Sequence, residues 1–125
     1  MRVLLLPLAL AGCSAIGQRG DEGAELARQL AGRSAGKAER CVSITQSAPL
    51  EIVDRQTIAY RSGSTIYVNR LQGDCPGLRP FNTLIVETHG SQYCRGDRVR
   101  GLEPGTSIPG PTCPLGDFVP YRRPR

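Results

Sequence analysis

The spacing of apolar positions divides the chain into three parts. Behind Met1-Arg2, the run Val3-Leu4-Leu5-Leu6-Pro7-Leu8-Ala9-Leu10 is continuously apolar. Between Ser14 and Arg40 the chain is rich in Ala, Gly, Arg and Glu, and Leu26 and Leu30 stand four apart with Ala27 and Ala31 beside them. That spacing predicts one short amphipathic helix, ended by Gly32 and followed by a stretch that Gly36 keeps loose. A helix of about ten residues is marginal alone in water, so residues 13–40 read as a tether with a short helix in it.

From Cys41 the period becomes two. Cys41-Val42-Ser43-Ile44-Thr45-Gln46 alternates, with Val42 and Ile44 on one face, and predicts a first strand that Ser47-Ala48-Pro49 breaks. Leu50-Glu51-Ile52-Val53 is an apolar patch of either kind. Gln56–Arg61 and Thr65–Arg70 flank Ser62-Gly63-Ser64 as a hairpin. A two-residue loop at Ser62-Gly63 would put Ile58 and Ile66 on opposite faces. A three-residue loop pairs Tyr60 with Ile66 and gathers Ile58, Tyr60, Ile66 and Val68 on one face, so the longer loop or a bulge is expected.

Leu71–Gly77 is a turn cluster. Thr83-Leu84-Ile85-Val86-Glu87-Thr88 is the most strand-like run, and its consecutive aliphatics predict a central strand with Val86 buried. His89-Gly90-Ser91 turns the chain into Gln92-Tyr93-Cys94, and Val99 sits in a further strand. Glu103–Pro114 carries Pro104, Pro109, Pro111 and Pro114 and must be loop or edge. Leu115–Tyr121 closes the sheet through Phe118, leaving 122–125 as a basic tail. The predicted class is all-β and mainly antiparallel: a small disulfide-stapled sheet or partly open barrel over 41–121, behind a short helix and tether.

Composition explains the need for staples. Of 125 residues, 15 are Gly, 10 are Pro and none is Trp, with only two Phe and four Tyr. A core of that kind in about 80 residues supplies only ~3–5 kcal/mol without cross-links. The net charge is +5, almost all of it from arginine, since Lys37 is the single lysine. This suits an anionic membrane or polysaccharide surface. The bases are scattered, and neither an RNA-binding aromatic-plus-basic motif nor zinc-finger spacing occurs, so no nucleic-acid partner is expected.

The apolar run is too short to span a bilayer, which takes ~20 residues, but it has the layout of an export signal. It leads into Leu10-Ala11-Gly12-Cys13. This resembles the lipobox of bacterial lipoproteins, which implies cleavage after Gly12, a signal peptide of residues 1–12, and acylation of Cys13. The alternative is an ordinary signal peptide cut after Ala15. Ser14 is not the aspartate that resembles an inner-membrane retention signal, so the expected address is the periplasmic side of the outer membrane.

With Cys13 acylated, Cys41, Cys75, Cys94 and Cys113 remain. An even number in a short exported chain implies two disulfides, and three connectivities are open. The nested one is expected: Cys75 with Cys94 across the central strand, and Cys41 with Cys113 from first strand to last. Zinc needs close Cys pairs that are absent here, and no C-x-x-C marks a redox site. Neither metal nor cofactor is expected. The turns Cys75-Pro76-Gly77-Leu78 and Cys94-Arg95-Gly96-Asp97 and the final Cys113-Pro114 resemble a family of uncharacterised proteobacterial exported proteins. That resemblance implies a shared fold and an envelope location, with no activity to transfer.

No nucleophile-elbow motif supports Ser64 or Ser91 beside His89, the only histidine. The isolated carboxylates read as solvated faces, so an enzyme is not expected. Arg19-Gly20-Asp21 and Arg95-Gly96-Asp97 invite an adhesion reading, but Gly-Asp also simply makes a turn. The expected function is that of an envelope-anchored structural or interaction module that contacts an envelope protein or polysaccharide. The alternative is an inhibitor of a lytic enzyme, since small envelope lipoproteins that inhibit lysozyme resemble this layout. Tyr60-Arg61-Ser62-Gly63-Ser64 would then be the candidate binding loop.

Overall fold

A computed structural model describes residues 23–45 and 48–125. Within them one helix, α1 (Ala24–Leu30), precedes ten strands: β1 (Ser34–Ala35), β2 (Cys41–Ser43), β3 (Glu51–Asp54), β4 (Thr57–Ser62), β5 (Thr65–Arg70), β6 (Thr83–Glu87), β7 (Gln92–Cys94), β8 (Arg98–Leu102), β9 (Cys113–Pro114) and β10 (Phe118–Arg122). They form a five-stranded sheet in the order β1-β10-β5-β4-β3, a three-stranded sheet β6-β8-β9, and the pair β2-β7. Every pairing is antiparallel. The all-β, disulfide-stapled class is thus the observed one. It takes the form of open sheets, since no described sheet closes into a barrel.

The five-stranded sheet is buried on both faces. One face packs Ile52, Ile58, Tyr60 and Phe118 against Val42 of β2, Val99 of β8 and the loop residues Leu71, Leu78 and Leu115. The other packs Ala59, Ile66 and Val68 under Leu26, with Leu30 and Tyr121 at the margin. Residues 57–60 are therefore buried at every position. An apolar run without alternation marks a strand covered on both sides.

This two-sided burial corrects the hairpin register. Ser62 pairs with Thr65, Arg61 with Ile66 and Tyr60 with Tyr67, so the turn is the two residues Gly63-Ser64. Gly63 has φ 59, the positive value that the first central position of a type II′ turn requires. Ile58 and Tyr60 face the inter-sheet core, while Ile66 and Val68 face the helix. The premise that all four share a face fails because α1 supplies a second apolar surface.

The same contact corrects the tether. Leu26 is buried, β1 pairs with β10, and Glu39 bridges to Phe118. Residues 23–40 therefore belong to the folded unit, and the boundary expected at Cys41 lies too late. A seven-residue helix that is marginal alone is stabilised here by burying its apolar stripe on the sheet. The leader and Cys13 lie outside the described residues.

A further correction concerns β6. It pairs only with β8 and is an edge strand, and Leu84, Ile85 and Val86 are each half-buried. The central place belongs to β5. Three aliphatics in a row are needed on β6 because its two faces are both partly covered, not because it sits mid-sheet. The expected first strand is also shorter, ending at Ser43.

Candidate functional site

The cysteines form two bridges, Cys41–Cys94 and Cys75–Cys113. Both were expected as disulfides, but the nested pairing is wrong and the observed bridges interleave along the chain. β7 folds back beside β2 and sets Cys94 directly opposite Cys41, with Cα atoms 4.1 Å apart. β9 pairs Cys113 with Val99 of β8. The turn after Cys75 crosses the same strand, where Gly77 O lies so close to Gly101 that a Cβ on Gly101 would stand 1.8 Å from it. Only glycine permits that crossing, which carries Cys75 to within 6.2 Å of Cys113 between Cα atoms.

The candidate loop Tyr60–Ser64 is divided by the structure. Tyr60 is 1% exposed. Its hydroxyl donates to Ser43 O (2.7 Å) and accepts from Thr45 N (2.9 Å), fastening β4 to the end of β2. Its ring meets Tyr93 edge-on at 5.4 Å and stacks on Tyr67 at 6.1 Å. Burial raises the Tyr93 hydroxyl above its ordinary pKa, with Tyr60 adding to the effect. Burial also raises Tyr67, where nearby Glu39 adds and Arg122 opposes. Arg61 hydrogen-bonds Gln29 of α1 and reaches Glu51 at 3.4 Å. Only Gly63 and Ser64 of the five are exposed. Tyr60, the one aromatic of the loop, is core and has no face to offer a cleft.

His89 and Asp97 approach at 3.6 Å, but they differ sharply in setting. The imidazole side chain is 88% exposed and the Asp97 side chain 9%. Asp97 Oδ2 accepts from Cys94 N at 2.8 Å, and Gly96 beside it has φ 89. Arg95-Gly96-Asp97 is thus the turn from β7 to β8, and its carboxylate is committed to the backbone. The other Arg-Gly-Asp, at 19–21, lies outside the described residues. His89→Ala should change stability by about 0.5 kcal/mol or less, because exposed substitutions away from caps and cores rarely do more. Thermal melts of the two proteins check this, and a large loss would mean that the ring closes over Asp97 in solution.

Sequence reasoning missed two features. Asn69 is wholly buried, donating to Gly116 O (2.7 Å) and accepting from Gly116 N (2.8 Å), and so pins the entry of β10 to β5. A single asparagine within a strand pattern gives no sign of such a clamp. The other is a groove of about 490 Å³ at the hairpin end, lined by Arg33, Ser64, Thr65, Arg122, Arg123 and Arg125. It unites the expected basic tail with the tip of the candidate loop and an arginine just past α1. Arg33 Nη1 donates to Ser64 O at 2.6 Å and to Tyr121 O at 3.3 Å, holding the tip against β10.

Elsewhere most carboxylates are matched by a base. Seven of the nine carboxylates among the described residues lie 3.9 Å or less from a base, and none of those bases is a groove arginine. Among the described residues no group of three or more His, Cys, Asp or Glu could hold a metal ion. No described helix is long and apolar enough to cross a membrane. No protein-family model, curated protein or solved structure matches this chain.

Proposed function

We propose that this chain is an envelope-anchored lipoprotein, tethered through acylated Cys13, whose β domain is a structural or interaction module on the periplasmic side of the outer membrane. The observation that carries this reading is the pair of bridges Cys41–Cys94 and Cys75–Cys113. Such bridges persist in oxidising compartments outside the cytosol. Beside them stands the lipobox-like Leu10-Ala11-Gly12-Cys13. Each buried methylene of an acyl chain contributes about 0.8 kcal/mol, so two or more chains make the attachment durable.

The test is fractionation. Cys13→Ala should move the protein from the membrane fraction to the soluble or unprocessed pool, and the intact mass of the wild type should show an acylated N-terminus. An unmodified chain beginning at Ile16 overturns the reading. A pull-down from envelope extracts with the acylated protein then identifies the partner.

A further inference from the structure

We propose that the groove between the β4–β5 tip and the C-terminal strand binds the phosphate headgroups of an anionic lipid surface, as a contact separate from any acyl group on Cys13. Arg33, Arg122, Arg123 and Arg125 converge on it, with the Ser64 and Thr65 residues between them. No acidic residue lines the groove, and none of the four arginines forms an ion pair among the described residues. Glu39, which influences Tyr67 along with Arg122, is not ion-paired with any of them. Lys37, Arg40, Arg70 and Arg98 also form no ion pair among the described residues, but this groove gathers four unpaired guanidiniums in one place.

The chemistry of the groove selects the ligand. The guanidiniums of Arg122, Arg123 and Arg125 present planar forks that match phosphate oxygens two at a time, while Arg33, whose Nε and Nη1 already donate to backbone carbonyls, adds its charge. A phosphate monoester carries a charge of about −1.5 to −2 and the phosphodiester of a lipid headgroup less, so four guanidiniums exceed either. A surface presenting several phosphates satisfies them together. No aromatic ring lines the groove, so it offers no stacking platform for the sugar rings of a polysaccharide. The groove is also fixed in place, because Arg33 ties the tip to β10 and β10 is the second strand of the five-stranded sheet.

The experiment uses the full chain with Cys13→Ala, so that acylation contributes nothing. Co-sedimentation is measured with vesicles of phosphatidylcholine alone and with vesicles containing phosphatidylglycerol as well. The leader, which carries Arg2, is the same in every variant, so the change in preference for the anionic vesicles between variants is the readout. Changing Arg122, Arg123 and Arg125 together to Gln should reduce that preference about a hundredfold, roughly fivefold per arginine. Changing the exposed Arg40, Arg55 and Arg98 to Gln removes the same charge elsewhere and should reduce it far less. Equal losses in the two variants would reduce the effect to net charge and overturn the proposal. No preference for anionic vesicles in the parent would overturn it too. Calorimetric binding of inorganic phosphate without vesicle preference would assign the groove to a soluble ligand and reject the lipid surface.

Discussion

Phe118→Ala should cost the domain about 3–5 kcal/mol, the range for emptying a buried aromatic site, and should lower the melting temperature by about 15 °C or more. Phe118 is fully buried at the first position of β10. There it joins Ile58, Tyr60 and Leu115 in the core between the sheets and meets the Tyr67 ring edge-on at 6.5 Å. Its backbone is held by a reciprocal pair of bonds to one residue: Glu39 N donates to Phe118 O at 2.7 Å, and Phe118 N donates to Glu39 O at 2.9 Å. Because the substitution leaves these bonds possible, the loss reports on the side chain. Two residues before Phe118, the Asn69–Gly116 clamp holds the entry of β10 to β5. Val119→Ala, one residue on and only half-buried, should cost well under half as much. Denaturant melts of both variants decide this, and comparable losses would mean that Phe118 is not the keystone of this core.

Removing the Cys75–Cys113 bridge by Cys75→Ala with Cys113→Ala should destabilise the domain by about 4 kcal/mol or more. In the chain-entropy model a closed loop of 38 residues is worth about 4 kcal/mol. The 53-residue loop of Cys41–Cys94 is worth only a few tenths more by the same logarithm. Loop length therefore hardly separates the two bridges, and burial does. Cys75 is 0% exposed and packs in the inter-sheet core, whereas Cys41 and Cys94 are both half-exposed. The Cys75–Cys113 variant should melt at the lower temperature despite its shorter loop. With native stabilities of about 5–15 kcal/mol, loss of both bridges should leave the chain largely unfolded at 37 °C. The reverse order for the two single-bridge variants would show that loop closure, not the packing of Cys75, dominates.

The patterning of the chain was sufficient to place most strands. The alternation at Cys41–Ser43, the paired runs around Gly63, the aliphatics of Thr83–Glu87 and the position of Phe118 each reappear as an element, because period and turn chemistry are local properties. Leu26 and Leu30 likewise announced a helix, and four cysteines announced two bridges.

Partnership was not legible. Whether Ile66 faces the same side as Tyr60 depends on whether anything covers the second face of the sheet, and that cover comes from Leu26, 40 positions earlier in the chain. Which cysteines join depends on β7 turning back to β2 and on Gly77 crossing Gly101, two approaches between segments that carry no mutual sequence mark. The basic groove is of the same kind. Arg33 and Arg122–Arg125 lie about 90 positions apart and meet only because β1 and β10 pair. Local propensity fixes what each segment is, while long-range packing decides what it touches, because contact energies depend on distance in space and not on separation along the chain.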